Sequence, residues 1–119
     1  MDIIVTMPDT KKEGINKLIE HYKKNSEGYI YFKVSRLPKH THIGERCFIV
    51  SNGYLIGSHK ITDMRFVNQS EAEQLSDGNW GEGNYIIRDA STFEEVDNKI
   101  KIKGFRGFRY KKELNSIKN

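Results

Sequence analysis

Residues 101–110 read KIKGFRGFRY, with Phe105, Phe108, Tyr110, Arg106 and Arg109 crowded into one short segment. Rings and guanidinium groups in such proximity are the tools of nucleic-acid binding: rings stack on bases and cations meet phosphates. In a regular extended chain Phe105, Gly107 and Arg109 share one face, and Arg106, Phe108 and Tyr110 the other. A bulge at Gly104 or Gly107 turns Phe105 and Phe108 together toward a core, leaving Arg106 and Arg109 outward on a basic rim. The segment is too short and too rich in rings for a flexible Arg-Gly tail. Upstream, the polar run KHTH places Lys39, His40 and His42 on a solvated loop, where all three can face phosphate.

Other constellations fall short of chemistry. His40, His42 and His59 with Cys47 suggest zinc, which needs four convergent ligands, or three and a water. Cys47, however, lies inside the apolar run CFIV and is expected to be buried in a strand, so no metal and no cofactor are expected. Ser58, His59 and Asp63 cannot form a triad, because adjacent strand residues point to opposite faces. The glycines of GNWGEGN have neither the lysine nor the following helix start of a phosphate loop.

The bulk properties bound the setting. A chain of 119 residues, 36% hydrophobic and 30% charged, is expected to fold as one domain over residues 1–119. A net charge of +4 permits an anionic partner without demanding one. Cys47 is the single cysteine, so no intramolecular disulfide forms. No signal peptide or apolar run of about 18 residues appears. A cytoplasmic location and no membrane partner are expected; oligomeric state is left open.

Hydrophobic periodicity lays out the elements. Residues 2–6 read as a strand. Thr10 and Glu13 have capping-box spacing ahead of a helix over 11–25, with Ile15, Leu18, Ile19 and Tyr22 on its apolar face. Strands follow at 29–35 and 45–50. Asn52-Gly53 forms a hairpin turn into a return strand from Tyr54, and Gly57 marks a bulge or a close backbone approach. The run DMRFV is a further strand or an extension of that one. A short helix over 69–75 is capped by Ser70 and Glu73. Strands are then expected at 84–90 and 94–102 before the GFRGFRY closure.

Four of these features together resemble the PUA-like superfamily, in particular its ASCH and EVE branches. They are YIYFKVSRLPK, HIGERCFIV, NGYLIGSHKI and KGFRGFRY, in that order over most of residues 29–110. Leu37 stands where the family usually has a tryptophan beside the proline. The expected fold is therefore α+β: a small PUA-like mixed or antiparallel β-barrel with one main helix and a short second helix.

The resemblance implies a nucleic-acid or nucleotide-binding module that recognises a single extruded or modified base in a barrel-mouth pocket. The candidate platforms are Trp80, Phe32 and Tyr85. Ser35 and Asn84 are candidates to read a base edge, and Lys33, Arg36, Lys39, Arg106 and Arg109 to meet phosphates. A second reading is an ASCH-type amidohydrolase on acylated nucleosides, using Lys33 and Ser35 with Glu45 or Glu82; Glu45 alternatively pairs with a basic group at the barrel rim. A third is a protein-interaction module using the same basic face.

Overall fold

The computed structural model describes residues 1–7, 14–74, 81–97 and 99–111. Trp80 and the Thr10–Glu13 capping box lie outside these residues. The described elements run β1 (Ile3–Thr6), α1 (Gly14–Lys24), β2 (Tyr29–Val34), β3 (Arg46–Ser51), β4 (Tyr54–Val67), α2 (Gln69–Gln74), β5 (Gly83–Glu95) and β6 (Phe108–Tyr110). One mixed six-stranded sheet has the order β2-β5-β4-β3-β1-β6. Only β1 and β3 pair in parallel; the other neighbours are antiparallel. The sheet curls into a half-barrel, with β2 and β6 as its edges. This is the α+β architecture with two helices that the sequence predicts.

Alternation explains why the sheet curls around one interior. Every strand sends side chains into the same cluster. Ile3, Val5, Cys47, Ile61, Ile86 and Val34 are buried there, with Phe32, Met64, Phe108 and Tyr110 packed on them. The residues between them along the strands point outward and need separate cover. Segment 96–105 covers Ile4, Val50 and Leu55 with Val96, Ile100, Ile102 and Phe105. Helix α2 brings Ala72 onto Val67, Tyr85 and Ile87. Helix α1, by contrast, closes one end of the interior face itself, packing Leu18, Ile19 and Tyr22 against Ile30, Ile49, Ile56 and Phe93. At about 25 cal/mol per Å² of apolar surface removed from water, these contacts are what hold a chain this polar in one shape.

Two local predictions are met in detail. Asn52 and Gly53 both have positive φ, 52° and 78°, the backbone that a two-residue hairpin turn requires. Gly57 permits a close approach: a Cβ there would lie 2.6 Å from both the Glu94 carbonyl oxygen and the Phe93 ring. The DMRFV run extends β4, with register shifts against β5 on the way.

Three local predictions are corrected. The α2 cap is Asn68, whose Oδ1 accepts from the Glu71 N–H at 2.8 Å; the helix starts two residues earlier than the Ser70 reading needs. Residues 94–102 do not form a separate strand. β5 runs on to Glu95, and beyond it, among the described residues up to 105, an isolated bridge, Tyr54 to Lys101, remains, because this segment serves as cover and not as a ladder. Phe105 and Phe108 do not turn into one core. Phe108 enters the half-barrel interior, while Phe105 packs on its outer side.

Candidate functional site

The two edge strands end beside each other, and a cleft of about 560 Å³ opens between them. One wall is the chain leaving β2: Val34, Ser35, Arg36, Leu37, Lys39 and His40. The other is Arg106 and Gly107 with β6: Phe108, Arg109 and Tyr110. β2 ends where Leu37 turns in to pack on the interior cluster and Pro38 is buried behind it. That turn swings Arg36, Lys39 and His40 outward, and all three are exposed. On the far wall Phe108 and Tyr110 pair in register with Val5 and Ile3. Alternation therefore sends both rings to the interior side and Arg109 outward.

The walls are tied together. The His40 backbone N–H donates to the Tyr110 hydroxyl at 3.1 Å, and the two rings lie 5.8 Å apart. The Arg109 guanidinium sits 4.7 Å over the Phe105 ring, a contact that holds an exposed arginine in place for about 0.5–1 kcal/mol. The Asn84 side-chain amide donates to the Ser35 carbonyl at 3.2 Å and fixes the exit from β2.

The electrostatics are one-sided. Four cationic side chains line the cleft, Arg36, Lys39, Arg106 and Arg109, with His40 beside them and no carboxylate among the lining residues. The nearby acid is already engaged. Glu45 accepts from the Met1 ammonium at 2.6 and 2.7 Å and from the His42 N–H at 2.6 Å. These bonds hold its carboxyl below the usual glutamate range. The Met1 ammonium also donates to the His40 carbonyl at 2.6 Å. Glu45 thus sits at the rim as an ion-pair partner, one of the two roles the sequence leaves open.

The structure brings together Ser35, Arg36, Lys39, His40, Arg106 and Arg109 of the predicted residues. Asn84 stands directly behind them, and Phe32 lies beneath in the interior cluster. Two others lie elsewhere. Lys33 and Tyr85 pair across β2 and β5 on the face under α2. Tyr85 is fully buried, and its hydroxyl donates to the Gly81 carbonyl at 2.7 Å. The Lys33 stem runs beside Gly83. Lys33 and Ser35 therefore part company at the end of β2, although simple alternation puts them on one face. Tyr110 is the residue that sequence reasoning passed over as a cleft ring; its place two residues after Phe108 carried the signal.

No family model matches the chain, and no curated protein matches it. Among solved structures, the chain superimposes on a serine-to-alanine mutant of the ZmASCH protein from Zymomonas mobilis. The TM-score is 0.54 at 9% identity, over 98% of this chain and 95% of that one.

The chain has an ASCH-type, PUA-like fold.

The likeness spans almost the full length of both chains. At 9% identity it extends to the backbone path and not to side chains. The cleft chemistry therefore rests on this chain's own residues.

Proposed function

We propose that this ASCH-type domain is a nucleic-acid or nucleotide-binding module that takes a single extruded or modified base into the cleft between β2 and β6. One observation carries the reading: a cleft of about 560 Å³ with four cations, inward rings and no acid among its lining residues. Its size falls within the ~300–1,000 Å³ usual for small-ligand pockets. Phosphates flanking a base would meet Arg36, Lys39, Arg106 and Arg109. The base would enter between the His40 loop and the Phe108–Tyr110 edge, with Ser35 available to test its polar edge. Stacking and charge act together here, each base–ring contact contributing about 1–3 kcal/mol.

The experiment is a titration of labelled single-stranded RNA and DNA, with and without modified bases, against wild type, Trp80→Ala and Arg106→Gln/Arg109→Gln. Salt-dependent binding weakened by the double arginine change supports the cleft. Binding indifferent to both arginines, or no binding to any nucleic acid, rejects it.

A further inference from the structure

The interior of the half-barrel holds a guanidinium that no carboxylate or carbonyl partners among the described residues. Arg88 is fully buried, and Nε and both terminal nitrogens lack a hydrogen-bond acceptor. His59 is also fully buried, and neither ring nitrogen has a partner. Both side chains face inward. Arg88 pairs in register with Ile30 and Ile61, and His59 with Cys47. A buried guanidinium without a counter-charge costs several kcal/mol, so an acceptor is the missing part of this arrangement.

A cavity of about 420 Å³ lies under α1, lined by neighbours of Arg88 and His59 but by neither of them. Its lining is apolar at the bottom, with Met7, Leu18, Tyr22, Ile30 and Ala90. The exposed His21, Asn25 and Glu27 stand at its mouth. Three of the wall residues are neighbours of Arg88. Ile30 is its cross-strand partner, whose Cβ in such a pair sits about 4.5–5.5 Å away. Ala90 is the next residue on the same face of β5. Tyr22 bridges the two compartments: it lines the cavity, its ring lies 5.0 Å from the His59 ring, and it stacks on Phe93 at 5.1 Å. The Arg88 charge bears on both the Tyr22 hydroxyl and the Cys47 thiol. Access from the cavity to the buried guanidinium requires the Tyr22 side chain to turn aside.

We propose that Arg88 and His59, reached through the cavity under α1, form a second binding site, for a small organic acid whose carboxylate meets the guanidinium while its apolar body fills the cavity. Arginine's fork suits a carboxylate in two parallel hydrogen bonds. His59 is neutral at pH 7 and has one ring N–H to donate. The apolar walls favour a body of carbon over a free inorganic anion. The Glu27 carboxylate at the mouth opposes a dianionic phosphate more than a monoanionic carboxylate.

The test uses benzoate as probe in the Arg106→Gln/Arg109→Gln chain, where two cleft cations are absent. Benzoate should raise the thermal midpoint saturably and shift the Arg88 Nε–H resonance in NMR spectra. Benzyl alcohol and inorganic phosphate at equal ionic strength should do neither. Arg88→Met in the same background should weaken benzoate about tenfold or more. Equal responses to benzoate and benzyl alcohol, an equal response to phosphate, or an Arg88 resonance that benzoate leaves in place overturns the proposal. The NMR comparison keeps Arg88 in the chain, so it decides the matter even where the Arg88→Met variant fails to fold.

Discussion

The Tyr110 hydroxyl accepts the backbone N–H of His40 at 3.1 Å, joining residues seventy positions apart across the mouth of the half-barrel. This bond sets the spacing between the loop that carries Lys39 and His40 and the strand that carries Arg109. Tyr110→Phe removes it while leaving the ring packed on Phe108. Because the freed N–H lies on the exposed His40 loop, water replaces the lost partner. The cost to folding should be about 0.5–1.5 kcal/mol in urea titration. Nucleotide affinity should fall about fivefold as the cleft loses its fixed width. A variant that binds as tightly as wild type shows that the bond does not position the walls.

Arg106 and Arg109 should differ from structural residues in how salt affects them. Each cation that neutralises a phosphate on a single strand contributes about 0.7 to the slope of log affinity against log salt. Arg106→Gln and Arg109→Gln should each lower that slope by about this amount and leave the unfolding midpoint nearly unchanged. Arg109→Gln also gives up the stacking on Phe105, so its small stability loss should be the larger of the two.

Gly57 sits where a side chain has no room. A Cβ there would meet the Glu94 carbonyl oxygen and the Phe93 ring at 2.6 Å, and the backbone oxygen cannot swing aside as a side chain can. Gly57→Ala should destabilise the fold by about 1–3 kcal/mol in denaturant titration. A stability within experimental error of wild type shows that β4 and β5 separate there at little cost.

Gly57 also shows what sequence reading reaches. A glycine inside an apolar strand signals a close approach wherever the partner lies, and Asn52-Gly53 signals its own turn. The strands β1, β2 and β3 follow from short runs of β-branched and aromatic residues in the same way. Alternation does not say which of two faces points inward. Tyr85 and Ile86 are equally apolar neighbours, and only the position of α2 over Tyr85 decides between them. Nor does it show that the chain after Val34 closes on residues 106–110, since that contact depends on how far the whole sheet curls. Arg88 was legible in principle. It shares the phase of Ile86 in NYIIRDA, and a charged residue in the core phase of a strand is a signal in itself.

His59 should give stability a pH dependence above the carboxylate range. Burial chiefly, then the charges of Arg88 and Arg46, hold its imidazole down to about 3 against an ordinary 6.5, with Asp89 opposing them weakly. Its other neighbours, the Tyr22 phenol and the Cys47 thiol, both have pKa values raised by burial and carry no charge in this window. Between about 3 and 6.5 the unfolded chain therefore binds a proton at this position that the folded chain refuses. Stability is fully present above about pH 6.5 and declines as pH falls, by up to about 1.4 kcal/mol per unit. The carboxylates held below their ordinary range, Glu45, Glu71, Asp89 and Glu95, lose their contributions lower down, as pH falls through their own depressed values. Denaturant titrations from pH 7 to 5 thus isolate the histidine. His59→Gln should flatten the curve across that interval while keeping its lower, carboxylate limb. A slope that persists in His59→Gln assigns the dependence to another group.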